Sequence, residues 1–426
     1  MRRSEGIYPV GPILNKVSDK KFLQELSIPF ASTHFLEAIS SSQNNAFIRV
    51  WIDDPNSRPL FIPASARTKF EIRTHRNDIE LFFDRSEVAI EDFRPWRFLD
   101  FPKRIGGRRF RKFSQTEFDK RLTIIPLLHL SGPGGLQAAR TMRTLAKWGF
   151  GISSGNLQDT LLYDYVEQEK GSSHPLEEKT PSTGIIIHLH YHDLWPDFER
   201  RLALVSLPFK LIVTLTADDP TLRRRIADRF PNSECVIYPN RGRDIGPFIQ
   251  LWRDGHLNNL DLICKLHGKK SAPSGPRAFF GDIWRKSVLN DLVGSDAIVT
   301  NIVERFMQHP ELGMVGSRRF HLPNRFMELD EAWGSNRECT LKLARALGFP
   351  EEEFRLDFFA GTMFWMRSEL LDLLKPLDLS QNSFPEEAGQ LDGTLHHALE
   401  RLFGALPRAS TTRMTTEDTV WRHDHS

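Results

Sequence analysis

The stretch GIIIHLHYHD (residues 184–193), with FKLIVTLTAD (209–218), CVIYPN (235–240) and DLICKLHG (261–268) after it, decides the fold. Each is a short apolar run typical of a strand, and each ends in polar residues. The segments between them, such as DPTLRRRIADRFP (219–231), are typical of helices. This alternation predicts βαβ units in an α/β fold, with a mainly parallel sheet, flanking helices and ligands at the carboxyl ends of the strands.

A polar segment precedes this domain. EQEKGSSHPLEEKTPSTG (167–184) is charged and interrupted by Gly and Pro, as linkers are. We therefore place a linker at residues 166–183, the α/β domain at 184–405 and a C-terminal tail at 406–426. A chain of 426 residues has room for about two or three domains.

Residues 1–165 form a separate N-terminal region. After a helix-like opening at residues 19–42, the runs AFIRVWID, RPLFIP, TKFEIRTH and DIELFFD show partial period-two alternation, which predicts strands. We expect a β-rich module at about residues 46–113, followed by an α/β segment. Its role is open between acceptor binding, membrane contact and oligomerisation.

The composition is that of an ordinary soluble protein, with 40% hydrophobic and 26% charged residues. No apolar run approaches the roughly 20 residues that span a bilayer, and the N-terminus lacks the apolar stretch of a secretory signal. We therefore expect a cytoplasmic protein. With three cysteines, neither a disulfide framework nor a four-thiolate zinc site is indicated.

Basic and aromatic residues alternate in RPWRFLDFPKRIGGRRFRKF (94–113). Such a surface could contact anionic lipid or phosphate, or it could be the solvated face of a β-hairpin whose aromatic residues point inward. The net charge of only +2 and the lack of a nucleic-acid module argue against nucleic acid as a partner.

The segment YPNRGRDIGPF (238–248) lies between a predicted strand and a predicted helix. Its glycines allow a tight turn, and its arginines offer planar forks for phosphate. We take this segment as the binding site for an anionic nucleotide; its candidate residues are Asn240, Arg241, Gly242, Arg243, Asp244 and Gly246. The alternative is a charged loop in which Arg243 and Asp244 pair with each other.

A second polar strand end follows at KLHGKKS (265–271). The cations of His267, Lys269 and Lys270 could neutralise a diphosphate leaving group. A solvated basic loop would have the same sequence.

Two later segments carry the remaining candidates. In DFFAGTMFWMR (357–367), Gly361 and Thr362 form a small-residue loop, and Trp365 is either core or a platform for a sugar ring. These three, together with His396, are the candidate acceptor or sugar-binding residues.

FPEEAGQLDGTLHHALER (384–401) places carboxylates ahead of a helix. Asp392, with Glu386 and Glu387 as substitutes, is a candidate general base for an acceptor hydroxyl. Capping of the helix by Asp392 is the structural alternative.

The order of these motifs resembles one family. HLHYHDLW, NRGRDIGPF, DLICKLHGKKS, the W-R-x-x-x-L segment at 284–289, GTMFW and GQLDGTLHHALER together look like the rhamnan synthesis protein F family over residues 184–405. The resemblance implies a glycosyltransferase that builds bacterial surface polysaccharide. It also implies a nucleotide-sugar donor, taken as dTDP-L-rhamnose from the family name, and a glycan acceptor on polyprenyl diphosphate at the inner membrane face.

More loosely, the domain is similar in layout to GT-A glycosyltransferases. That layout implies that Asp218 or Asp219 reads the nucleotide base. It would also place an Asp-x-Asp metal motif where this chain has Leu266-His267-Gly268, so no metal ligand is assigned. Either His267 with the lysines stabilises charge, or Asp244 holds Mg²⁺ or Mn²⁺ with His267.

A protein of another class would share many of these features. A glycan-binding or scaffold protein of an assembly complex could keep the fold without turnover, and the missing Asp-x-Asp pair favours it. The many convergent charges at the strand ends favour an enzyme.

Overall fold

The protein is described here by a computed structural model. It describes residues 13–14, 23–40, 46–55, 57, 59–64, 67–84, 88–95, 116–118, 122–126, 143–150, 157, 160–161, 163, 166–167, 180–268, 270, 280–390 and 392–419. Contacts divide the chain into two compact units, one of residues 1–169 with 270–287 and one of residues 170–269 with 288–426. The basic segment 94–113, apart from its first two residues, lies outside the described residues.

The first unit is built from antiparallel strands. They are β1 Ile13–Leu14, β2 Leu23–Ile28, β3 Thr33–Ser40, β4 Ala46–Ile52, β5 Leu60–Ala64, β6 Arg67–Thr74, β7 Ile79–Asp84, β8 Val88–Pro95, β9 Thr116–Phe118, β10 Leu122–Pro126 and β11 Val166–Glu167. One sheet has the order β8-β3-β6-β10-β9 and another β2-β7-β4-β5. Both contribute alternate apolar residues to one buried cluster, as in a sandwich.

This arrangement confirms the predicted β-rich module and corrects its start. The predicted helix at residues 19–42 is wrong, because β2 and β3 occupy this segment and are joined at Pro29. A proline in the middle of a helix removes a hydrogen bond and clashes with the preceding turn. Leu36 and Ala38 reach the core on either side of Glu37, which is the period of a strand.

The second unit has a seven-stranded sheet with helices around it. Its strands are β12 Thr183–Leu189, β13 Lys210–Leu215, β14 Glu234–Ile237, β15 Leu262–His267, β16 Leu312–Ser317, β19 Phe364–Arg367 and β20 Thr415–Thr419, and a small ribbon adds β17 His321–Leu322 and β18 Phe358–Phe359. The helices are α1 Trp195–Leu202, α2 Pro220–Arg229, α3 Ile245–Arg253, α4 Phe280–Val293, α5 Asp296–Gln308, α6 Leu329–Trp333, α7 Arg337–Ala346, α8 Leu395–Phe403 and α9 Leu406–Ala409. Of α4, only residues 288–293 belong to the second unit. Short 3₁₀ helices occur at His192–Leu194, Arg318–Phe320, Gly334–Asn336, Glu351–Glu353, Ser368–Leu377 and Gln381–Ser383.

The sheet order is β14-β13-β12-β15-β19-β16-β20. β12 is parallel to both β13 and β15, and the chain winds away from β12 in two directions. The strand order therefore reverses between β12 and β15, where open α/β sheets bind ligands. The predicted mainly parallel sheet is confirmed.

Two features of this sheet differ from the prediction. β19 runs antiparallel between β15 and β16, so its first residue meets the carboxyl end of β15. The predicted C-terminal tail at 406–426 is wrong in its first part, because α9 lies there and β20 pairs with β16. Thr415–Thr419 is an edge strand, and edge strands can be polar. Its sequence therefore has no apolar run that would predict a strand.

The core of this unit lies on both faces of the central strands. All seven residues of β12 and all six of β15 are buried, as is typical of strands that are covered on both faces. In the part of the chain that the structure describes, no helix has the length and hydropathy needed to cross a membrane.

Candidate functional site

Two histidines mark the point where the strand order reverses. His188 of β12 and His267 of β15 are register partners, and the Gly268 N–H donates to the His188 carbonyl at 2.9 Å. Both histidines are at least nine-tenths buried. The polar ends of β12 and β15 therefore meet as predicted for a ligand-binding edge.

Lys265 connects several residues at this edge, and we had not assigned it a role from the sequence. Its ammonium donates to Asp244 Oδ2 at 2.5 Å and to the Thr362 carbonyl and hydroxyl at 3.1 and 3.0 Å. The Thr362 hydroxyl in turn donates to Asp244. One signal was visible: a lysine inside the apolar strand LICKLH needs a buried partner.

The pKa values of this pair shift in the directions expected for a buried ion pair. Burial alone would raise the pKa of Asp244, but the charges of His267 and Lys265 and the hydrogen bonds from Lys265 and Thr362 hold it well below its usual range. Burial lowers the pKa of Lys265, and the charge of Asp244 opposes this. Asp244 is therefore a carboxylate throughout the physiological range.

His267 joins this cluster to the loop before β19. Its Nε2–H donates to the Gly361 carbonyl at 2.6 Å, and the Gly361 N–H donates to Glu400 of α8 at 2.5 Å. Gly361 and Thr362 have φ values of +84° and +50°, so this turn is left-handed, and at Thr362 it carries strain. Glu400 was not among the candidate residues chosen from the sequence.

A row of histidines continues along the end of β12. His188 is hydrogen-bonded to Thr214 at 2.9 Å, and His190 to Thr216 at 2.9 Å. Burial lowers the pKa of His188 to about 3, against the attraction of Asp244, so His188 is neutral. The alternation HLHYH was visible in the sequence, although we assigned no chemistry to it.

Arg243 does not pair with its neighbour Asp244. Its Nε donates to Glu387 at 3.0 Å, another nitrogen donates to the Gln390 carbonyl, and Nη1 lies 3.4 Å from His397 Nε2. The alternative of an Arg243–Asp244 pair is therefore wrong. Arg243 links the turn before α3 to the loop before α8.

Arg241 makes a matching contact with the same loop. It forms a backbone bridge with Glu386, and its Nη2 lies 3.8 Å from the Glu386 carboxylate. The Nε of Arg241 is buried and has no hydrogen-bond partner among the described residues. Both predicted donor-binding arginines thus face adjacent glutamates.

The two glycines of this turn are required by its geometry. Gly242 has φ +71°, and a Cβ there would lie 2.5 Å from the Phe384 ring. At Gly246 a Cβ would lie 2.0 Å from the Arg241 carbonyl oxygen. The tight turn predicted from NRGRDIG is present, with Asn240 partly exposed at its start.

The two acids proposed to read a nucleotide base have protein partners. Asp219 caps α2 through the Leu222 N–H at 3.0 Å and contacts His192 at 3.0 Å. Asp218 pairs with Arg223 at 3.1 Å. Both follow β13 at the carboxyl edge, and base reading by either stays a prediction.

Asp392 joins two loops. It accepts from the Ser335 N–H at 2.8 Å and from the Asn336 amide, whereas the residue at the helix start is Thr394. The alternative of capping α8 by Asp392 is therefore wrong. Burial would raise the pKa of Asp392, but these hydrogen bonds lower it, which weakens the group as a base.

Among the candidates for sugar binding, the structure corrects the prediction made for Trp365. Its side chain has no exposed surface, and its indole N–H donates to the Leu292 carbonyl at 3.1 Å, so it belongs to the core and cannot stack on a sugar. His396 is also buried; burial, His397 and Arg243 lower its pKa to about 4.

The roles of the two lysines after His267 stay predictions. Lys269 lies outside the described residues, and Lys270 belongs to the first unit.

The residues at this edge do not fit a divalent metal ion. Asp244 is already neutralised by Lys265, and His267 uses Nε2 to donate to Gly361. Within the described parts of the chain, no group of three or more His, Cys, Asp or Glu side chains is placed to hold a metal. A site for Mg²⁺ or Mn²⁺ on Asp244 and His267 is therefore not supported by the contacts of these two residues.

Comparison with known proteins adds what the geometry alone does not give. The model of the family described as "Rhamnan synthesis protein F" matches residues 152–412, more than half of the chain. The chain belongs to the rhamnan synthesis protein F family. The resemblance seen over residues 184–405 is confirmed, and membership associates the chain with polysaccharide biosynthesis.

Two proteins of Xanthomonas campestris pv. campestris, from strains B100 and ATCC 33913, are similar to this chain. Each is named "Uncharacterized protein WxcX" and is 31% identical over 238 residues, or 56% of this chain. The matched stretch covers 33% of their length. They are thus considerably longer proteins.

Proposed function

We propose that the second unit is a GT-A-like glycosyltransferase that moves a sugar from a nucleotide-sugar donor to a growing cell-surface polysaccharide. One observation carries this proposal. Asp244, His267 and Thr362, three residues from separate segments that the sequence singled out, converge around Lys265 where the strand order reverses. Family membership supplies the polysaccharide context.

In this proposal the arginine turn before α3 receives the donor diphosphate. Arg241 and Arg243 supply the forks, and the glycines bring the backbone close. Asp218 or Asp219 contacts the nucleotide base, while Asp392, Glu386 or Glu387 accepts the proton of the acceptor hydroxyl. The family name favours rhamnose, as dTDP-L-rhamnose, and an acceptor on polyprenyl diphosphate at the cytoplasmic membrane face.

The proposed transfer does not use a divalent metal. Lys265 places a fixed cation at the carboxyl edge, and the saturation of Asp244 by Lys265 and Thr362 supports this reading. Leaving-group charge would be stabilised by the arginines and by preorganised donors.

The test is turnover with a panel of nucleotide sugars and a polyprenyl-diphosphate glycan, with and without EDTA. We expect one donor to be consumed, nucleoside diphosphate to be released, the glycan mass to increase by one sugar, and EDTA to have no effect. Arg243→Ala should abolish transfer. The matched control is Arg345→Ala, which removes an exposed arginine paired with Glu351 at 2.6 Å; transfer should persist there.

A glycan-binding or scaffold role is the second candidate. It is favoured by the internal pairing of both arginines with glutamates and of Asp244 with Lys265. Saturable binding of the glycan without consumption of any nucleotide sugar would support this role and contradict the transferase.

A further inference from the structure

The loop from Phe384 to Asp392 is anchored on both sides of the arginine turn. Phe384 is 1% exposed, and its ring lies against Gly242. At the other end, Asp392 accepts a hydrogen bond from Asn336. Between these anchors, residues 385–389 are exposed. The middle of the loop is therefore held by little besides its contacts with the arginines.

The two glutamates of the loop face the two arginines of the turn in the same order along the chain. Glu386 faces Arg241 at 3.8 Å, and Glu387 faces Arg243 at 3.0 Å. The Glu386 side chain is 86% exposed, and solvent-exposed ion pairs contribute little to stability. A ligand that offers more charge than a carboxylate can therefore replace them.

The loop is braced internally. The Gln390 amide donates to the Glu386 carbonyl at 2.9 Å, and the Gly389 N–H donates to the Glu387 carboxylate at 2.8 Å. These bonds tie the two glutamates to one turn. Displacing one carboxylate thus disturbs the other.

We propose that Arg241 and Arg243 form a diphosphate site that the chain closes on itself with Glu386 and Glu387. A diphosphate binds by displacing both carboxylates, because guanidinium forks donate to carboxylate and to phosphate oxygens in the same geometry. The Nε of Arg241, which has no hydrogen-bond partner in the described part of the chain, gives the incoming ligand a donor. A monophosphate engages one arginine and leaves the other carboxylate in place, so the loop makes the site selective for diphosphates.

This inference rests on the proposed function and adds regulation of its donor site. The test measures binding of inorganic pyrophosphate and inorganic phosphate to the full chain by calorimetry, at constant ionic strength. The variant is Glu386→Gln with Glu387→Gln. Its control is Glu352→Gln with Glu353→Gln, the same charge change in exposed residues of a 3₁₀ helix.

We expect the Glu386/Glu387 variant to bind pyrophosphate about ten-fold more tightly than the wild type, because pyrophosphate no longer has to displace two carboxylates from the arginines. Phosphate affinity should change less, and the control should resemble the wild type. Arg241→Ala with Arg243→Ala should remove binding. In the wild type, pyrophosphate should speed hydrogen exchange at the bonded amides of Ala388 and Gly389.

Equal pyrophosphate affinity in the variant, the control and the wild type would overturn the inference, as would unchanged exchange in the loop. The two proposals can fail separately. Displacement of the loop by pyrophosphate without sugar transfer from any donor would overturn the transferase alone. Sugar transfer by the wild type, together with a Glu386/Glu387 variant whose pyrophosphate affinity equals that of the wild type, would overturn the closed loop alone.

Discussion

The Lys265 ammonium lies 2.5 Å from the Asp244 carboxylate, with the side chains 2% and 15% exposed. The partners come from β15 and from the residue before α3, and Thr362 completes the contact from the loop before β19. Removing one partner from such a pair leaves a buried charge that nothing compensates. The pair therefore holds three segments of the carboxyl edge together.

Lys265→Met should lower the free energy of unfolding of the second unit by about 3–5 kcal/mol. Replacing both partners, by Lys265→Met with Asp244→Leu, should cost less than the sum of the single changes, because no charge is left unpaired. Urea unfolding of the wild type, of each single variant and of the double variant measures these changes in the free energy of unfolding. Additive costs would contradict the pairing. Lys375→Met, at an exposed pair, should change stability little.

His321 predicts a pH dependence of stability. Burial would lower its pKa, but hydrogen bonds to Asp357 and Asp418, and their charges, raise it to about 9. Because the folded pKa exceeds the unfolded value of about 6.5, the contribution is complete below pH 6.5 and is lost as the pH rises through 9.

We therefore expect wild type and His321→Gln to differ by up to about 3 kcal/mol at pH 6, and by much less at pH 9.5. Urea unfolding across this range measures the difference. His309→Gln changes a half-exposed histidine and serves as the control. A difference between wild type and His321→Gln that does not vary with pH would contradict the raised pKa.

Gly246→Ala should disrupt the arginine turn. Its Cβ would lie 2.0 Å from the Arg241 carbonyl oxygen, so the backbone must move, at a cost of about 1–3 kcal/mol. Pyrophosphate binding should weaken with it. Gly348→Ala is the control: its φ of +85° is strained for alanine, but nothing lies within 4 Å. It should lose about 1–2 kcal/mol of stability and keep its affinity.

Trp365→Phe should affect stability and not sugar binding. The change removes the hydrogen bond to the Leu292 carbonyl and leaves a cavity in the core, which together cost about 2–4 kcal/mol. Thermal unfolding and glycan-binding isotherms measure the two effects. A large loss of glycan affinity in a variant that stays folded would restore Trp365 as a sugar platform.

The sequence predicted the parallel strands and the arginine turn because local patterns specify both. β12 and β15 are apolar runs, and Gly242 and Gly246 lie where a tight turn needs glycine. It did not predict which charges pair. Asp244 pairs with the distant Lys265 and not with the adjacent Arg243, and only the folded chain brings Lys265 next to Asp244. The antiparallel direction of β19 is likewise absent from local periodicity, which is the same for strands of either direction.

That direction also affects when the site can form during synthesis. Ribosomes deliver the chain from its N-terminus, so β12 and β15 emerge with His188 and His267 before Thr362 has been translated. Until β19 pairs with β15, Lys265 lacks the contacts that come from Thr362. In a nascent chain, the contacts around Lys265 are therefore incomplete until translation has passed β19.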